Sequence, residues 1–388
     1  MPTQGVRRHK AVRITLVTVP IVLVVAVLAL LGIGWYYSSQ LLDPAQARPG
    51  YPDVSLGPTS VNGVSSVALQ KASDTTDAGS QALLWDGGYA QVGEVLSDRD
   101  NKVERRLLKG QAPPAGTHVR ISPQMWPGDP KSALGQDFQN VEIQTELGPA
   151  PAWLVPGNST WVIAIHGRAG TREETLRAIP PLHQLGLTVL SITYRNDDGA
   201  PRSPDGFFHL GDSEWRDVES AMKYGSQHGA KRFVLYGWSM GGAIAGQLLN
   251  QSPLADQVDS VVLDAPSVSW TKTLVLQAQD RGLPLTGLLT WDAELVSGWR
   301  GGIDFGRMEL LDSPPAHKPP TLLFHGSSDT TVPVQASRDL AAAAGGLGWP
   351  ITYVEVPTAE HTASWNVDPG GYERHLRDFL GGRPDLTR

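Results

Sequence analysis

A serine stands between glycines two residues to either side in Gly237-Trp238-Ser239-Met240-Gly241. Its hydroxyl can attack a carbonyl only if a base within hydrogen-bond reach takes the proton, and that base works only if an acid fixes its tautomer and orientation. Both partners follow in the order acid, then base. The acid is Asp329, in His325-Gly326-Ser327-Ser328-Asp329-Thr330-Thr331-Val332-Pro333, and the base is His361, in Ala359-Glu360-His361. Such a set performs acyl transfer through an acyl-serine, which needs backbone donors for the tetrahedral oxyanion. One donor is assigned to the amide of Met240, the residue after the nucleophile. The other is assigned to the amide of Arg168 in His166-Gly167-Arg168-Ala169-Gly170, with Ala169 as the fallback. The Arg168 side chain is expected to be solvated or paired with an acid.

These residues act together only if the chain delivers them to one place. Ser239 follows the apolar run 233–236 and precedes a helical stretch 242–249, the strand–turn–helix setting in which larger residues at the glycine positions would collide with neighbouring elements. Asp329 follows a strand at 321–324, His361 one at 351–356, and the Arg168 loop the unbroken apolar run Trp161-Val162-Ile163-Ala164-Ile165. Further strands are read at 187–193 and 258–263, with a hairpin at 141–145 and 152–155 opening the series. Thr171 and Glu174 read as a capping box starting a helix over 173–185. Strands alternating with helices specify an α/β fold with a mostly parallel sheet, whose strand C-termini carry the site. The long insertion at about 268–312, with Trp270, Trp291 and Trp299, reads as a helical cap. His375, within the helical run 372–380, reads as structural, and Glu360 as solvated.

Taken jointly, the segments 166–170, 237–242, 325–333 and 359–361 resemble those of α/β-hydrolases, most closely the dienelactone hydrolase, prolyl-oligopeptidase-type and membrane-tethered abhydrolase-domain proteins. The resemblance spans about residues 138–382. It implies that the four segments are oxyanion loop, nucleophile, acid and base, in an enzyme that needs no cofactor. A carboxylesterase or lipase-like activity on a small-molecule or lipid ester is the leading expectation. The alternatives are a peptidase of prolyl-oligopeptidase type and an idle hydrolase fold that binds or scaffolds. Against the peptidase, the stretch ahead of the hydrolase is too short for the large propeller of those enzymes.

The 388 residues include no cysteine, which removes disulfides, thiol nucleophiles and cysteine-held metals. Phosphate-cradling, dinucleotide and zinc-helix motifs are also missing, so no cofactor and no metal are expected. Without the four basic residues of its N-terminal tail the chain's net charge falls from −7 to −11, which argues against a nucleic-acid partner. Ahead of all this, residues 1–13 form a basic tail with Arg7, Arg8, Lys10 and Arg13, followed by an apolar stretch over 14–37. As a helix that stretch spans about 36 Å, enough to cross a bilayer. Its basic end would stay cytoplasmic, with Trp35, Tyr36 and Tyr37 at the outer interface and the rest extracytoplasmic. Secretion after signal cleavage is the alternative. Residues 38–53 read as a linker lifting the rest off the bilayer, 54–137 as a β-rich accessory segment, and 138–388 as the hydrolase domain.

Overall fold

The computed structural model describes residues 4–44 and 50–383, with side chains from residue 21 onward except residue 23. The side chains of the basic tail and residues 45–49 of the expected linker lie outside the described residues. The apolar N-terminal run has no polar face and forms one helix, α1 (Gln4–Leu42), within which Val24–Leu42 is long and apolar enough to cross a membrane.

A closed six-stranded barrel follows: β1 (Asp53–Val61), β2 (Val64–Gln70), β3 (Gln81–Trp85), β4 (Gly88–Arg99), β5 (Lys102–Lys109) and β6 (His118–Ser122), in the order β1-β2-β5-β4-β3-β6. Asn62-Gly63 joins β1 to β2 with positive φ at both positions, the turn that matches strand twist. Small and branched side chains such as Val67, Leu83, Val92 and Val119 fill the interior. Arg105 is fully buried and satisfied by carbonyls, donating to Gly93, Thr75, Asp77 and Gly79 at 2.7–3.1 Å. Closure leaves the barrel no open edge.

The remaining chain runs α2 (Pro130–Leu134), β7 (Gln139–Thr145), β8 (Gly148–Val155), β9 (Thr160–Ile165), α3 (Ile179–Gln184), β10 (Thr188–Ile192), α4 (Trp215–Gln227), β11 (Arg232–Trp238), α5 (Met240–Gln251) and β12 (Val258–Asp264). It continues through α6 (Trp270–Asp280), α7 (Thr286–Gly301), β13 (Thr321–Gly326), α8 (Val334–Leu347), β14 (Ile351–Val356), α9 (Ser364–Val367) and α10 (Pro369–Gly381). The strands form one eight-stranded sheet ordered β14-β13-β12-β11-β9-β10-β8-β7, parallel from β14 to β10 and antiparallel at the β8 and β7 end. Successive β9 side chains serve opposite cores: Trp161, Ile163 and Ile165 on the α4/α5 face, Val162 and Ala164 on the α3/α10 face. That double coverage is why β9 reads as a continuous apolar run.

Two local expectations are corrected. Residues 172–178 are a 3₁₀ turn, not the start of a long helix, because Pro180 and Pro181 can occupy only the first turn of α3. The Thr171 hydroxyl accepts from the Glu173 amide, while Glu174 turns inward, away from any capping box. The expected linker does not lift the hydrolase from α1 either. Residues 38–42 are helical, Leu42 is fully buried in the hydrolase core, and the Phe208 amide donates to its carbonyl at 2.8 Å. The C-terminal part of α1 packs on α7. A Cβ on Gly34 would come within 2.6 Å of the Asp292 carboxylate and 2.8 Å of Val296, so this crossing requires glycine. Arg300 stacks over Trp35 at 4.1 Å and donates to the Trp35 carbonyl and the Ser39 hydroxyl.

Candidate active site

Ser239 lies between β11 and α5 with φ 51° and ψ −118°, a sparsely populated conformation for a residue with a side chain. The turn is held from several sides. The Ser239 amide donates to the Asp264 carbonyl at 3.0 Å, and a Cβ on Gly241 would run into the Ile165 carbonyl, so the elbow seats directly on β9. Behind it, the buried Asp264 carboxylate accepts from Ser364 and Tyr372, and burial raises its pKa.

The structure brings Ser239, Asp329 and His361 together. His361 Nε2 is 2.9 Å from Ser239 Oγ, and His361 Nδ1 is 2.7 Å from Asp329 Oδ2. Asp329 Oδ1 accepts from the Thr331 and Val332 amides, both at 2.8 Å. Burial alone would raise the Asp329 carboxyl, but His361 and His325 beside it hold it well below the usual carboxylate range. For His361 the balance has the opposite sign. Burial lowers the imidazole, while Asp329, with smaller contributions from Glu174 and Asp264, raises it by more, so its pKa lies above the ordinary 6.5.

The loop 166–170 is braced so that particular amides stay available. Glu174 Oε2 takes the Gly167 amide at 2.7 Å, and the Gly170 amide donates to the Gly167 carbonyl. No acceptor meets the Arg168 or Ala169 amide among the described residues. Met240 opens α5, so its amide is one of the donors that a helix leaves without an intrahelical partner. His166 faces the Asp197 carboxylate through Nε2 at 2.9 Å and the Gly167 carbonyl through Nδ1 at 2.9 Å. Burial lowers the His166 imidazole, while Asp197 and the Gly167 carbonyl raise it by more.

The Arg168 side chain is half-buried and pairs with carbonyls instead of an acid among the described residues, where a solvated or acid-paired arginine was expected. Its Nη2 donates to the carbonyls of Gln40, Leu41 and Asp43 at 3.0–3.1 Å, and its guanidinium lies 5.7 Å from the Phe208 ring centre. The last turn of α1 has no basic residue of its own, and Arg168 supplies the cation that its carbonyl end favours. Glu360 is not merely solvated: its carboxylate accepts from the amide and hydroxyl of Thr330 in the Asp329 loop. His375 meets Phe324 edge-on within α10.

Sequence reasoning missed His325, 3.2 Å from Asp329 Oδ2, and Arg177. Arg177 reaches from Glu174 to the Thr362 carbonyl, next to His361, and to Asn366. Asn366 in turn holds Ser80 at the barrel, through the Ser80 amide and carbonyl. The position of His325 at a strand end was visible in sequence; nothing there marked Arg177.

Above Ser239 opens a cavity of about 430 Å³, within the range of small-molecule sites. Tyr36, Tyr37 and Leu41 from α1, Leu274 from α6, and Leu289 and Ala293 from α7 give it mainly apolar walls. Gln277 of α6 ties this roof to the Thr330 and Thr331 carbonyls. Among the described residues no group of acidic and histidine side chains is arranged to hold a metal.

The profile of the prolyl oligopeptidase family matches residues 182–381, and that of a domain of unknown function, DUF8805, matches 59–122. Over 248 residues the chain is 29% identical to the uncharacterized protein Rv2307c of Mycobacterium tuberculosis strain H37Rv, covering 62% of this chain and 79% of that one. The uncharacterized protein MT2364 of strain CDC 1551 matches to the same extent. Among solved structures, the Pyrococcus furiosus esterase Pf2001 superposes with a TM-score of 0.54 and 24% identity, over 66% of this chain and 94% of that one. At that identity the likeness establishes the α/β-hydrolase fold.

Proposed function

The chain belongs to the prolyl oligopeptidase family and is a serine hydrolase, and we propose that it is a carboxylic ester hydrolase anchored by α1 with its catalytic domain outside the cytoplasm. Ser239 attacks the ester carbonyl while His361 takes its proton, Asp329 orients the imidazole, and the Met240 and Arg168 amides receive the oxyanion. His361 then returns the proton to the leaving alcohol. Water, deprotonated by His361, attacks the acyl-serine, and Ser239 leaves with the proton as the acid is released. The observation that carries the ester reading is the apolar cavity directly over Ser239, walled by aromatic and aliphatic side chains suited to an acyl group.

Family membership favours a second reading, cleavage of a peptide bond after proline. The full chain in detergent, assayed on p-nitrophenyl esters and on prolyl p-nitroanilides with fluorophosphonate labelling alongside, separates the two. Ester turnover and labelling are expected in the wild type. In Ser239→Ala labelling disappears and turnover falls about 10⁴-fold or more. Anilide turnover without ester turnover would replace the esterase reading with the peptidase. For topology, a reporter fused after Arg388 is expected to be active outside the cytoplasm.

A further inference from the structure

We propose that the substrate is an acyl ester resident in the bilayer, whose chain reaches Ser239 laterally through a groove between α1 and the cap without leaving the lipid; this rests on the esterase reading above. The first observation is continuity. A second apolar groove shares Tyr36, Tyr37, Leu283 and Leu289 with the catalytic cavity and extends away from Ser239 along Ala29, Leu30, Gly32 and Ile33 of α1. From Tyr37 back to Ala29 it runs about 12 Å along the helix axis. These α1 positions lie on the bilayer side of the Trp35–Tyr37 aromatic group, so the far mouth opens at the depth of acyl chains.

The second observation is the outer face of the cap. Leu288, Trp291, Leu295 and Trp299 recur at helical spacing on α7, with Leu285 just ahead of it, and all five are exposed, Leu285 at 73% and Trp299 at 76%. Five large apolar side chains on one face form a patch that water disfavours. Trp299 meets Trp35 edge-on at 6.3 Å, which places this patch beside the apolar surface of α1. One apolar environment, the outer leaflet, covers both. The groove between them is then filled from the side by lipid chains, and the polar end of the path is Ser239 with His361.

The test uses the full chain in vesicles of phosphatidylcholine and phosphatidylglycerol, with 4-methylumbelliferyl palmitate in the bilayer and 4-methylumbelliferyl butyrate in the water. Gly32 lines only the far groove, and a Cβ there meets nothing within 4 Å, so Gly32→Trp places an indole in the path. Each methylene held in an apolar site is worth about fourfold in binding, so the palmitate-to-butyrate rate ratio is expected to fall about tenfold or more. An unchanged ratio, with fluorophosphonate labelling intact, overturns the route. Wild-type turnover of butyrate but not palmitate overturns the proposal and leaves the esterase reading standing. Turnover of neither, with labelling retained, removes both. A second measurement does not depend on that variant. The chain has no cysteine, so Leu285→Cys carries a single NBD label, whose emission is expected to shift to the blue on reconstitution; water-like emission in vesicles overturns lipid contact at the cap.

Discussion

His361 must be neutral to accept the Ser239 proton, yet the Asp329 carboxylate 2.7 Å away favours its charged form. Ester turnover in kcat/KM is therefore expected to rise with pH along a limb centred above 6.5, the ordinary imidazole value, and a pH–rate profile on a short soluble ester measures it. Asp329→Asn removes the charge that raises His361. The limb is then expected to move down while the rate falls about 10⁴-fold, because the amide no longer holds the reactive tautomer. A limb that stays in place would mean that other carboxylates set the His361 pKa. Ser239, Asp329 and His361 were legible in sequence because each stands just past an apolar strand, and the parallel sheet gathers those strand ends. Glu174 was misread for an equally physical reason. A T-x-x-E pattern fits a helix cap, but the Gly167 amide outcompetes the cap for the carboxylate, and that amide is brought close only by the folded sheet.

Between elements, the contact least visible in the sequence is that of α1 with the cap. Over residues 14–37 the α1 sequence is almost uninterruptedly apolar, so no stripe marks a packing face, and α7 lies some 250 residues further on. Gly34 carries this crossing. Gly34→Leu forces a side chain into Asp292 and Val296 and is expected to cost about 1–3 kcal/mol, seen as a lower melting temperature in detergent. Gly32→Leu, where nothing lies within 4 Å, is the control expected to leave the melting temperature unchanged. The barrel was partly legible: β2, β3 and β4 fall on the short apolar runs 64–69, 81–85 and 89–96 that Gly, Asp and Ser clusters separate, whereas the Asn62-Gly63 turn went unread although its positive φ at both positions is a hairpin signal. Its closure depends on pairing β1 with β6 across the whole segment, which local patterns do not encode.

Across the molecule, the helix that would hold the enzyme in the membrane also builds the site. α1 walls the cavity through Tyr36, Tyr37 and Leu41, and its end is fastened to the loop 166–170 by Arg168. A chain beginning at residue 50 keeps Ser239, Asp329 and His361 but loses a wall of the cavity and the carbonyls that Arg168 holds. Fluorophosphonate is expected to label it more slowly than the full chain, by about tenfold, with the cost concentrated in positioning. Equal labelling rates would show that α1 contributes nothing to the reactivity of Ser239.

The docking of α1 through Gly34, Arg300 and Leu42 has a kinetic consequence as well. A catalytic domain on a slack tether samples the solution around it, whereas one clamped to its anchor holds its entrance at one height and tilt. If the entrance lies in the leaflet, as proposed above, collisions with substrate occur in two dimensions, and the quantity that governs the rate is the surface mole fraction of ester. Adding inert phospholipid at constant total ester then slows turnover by surface dilution, while adding water does not.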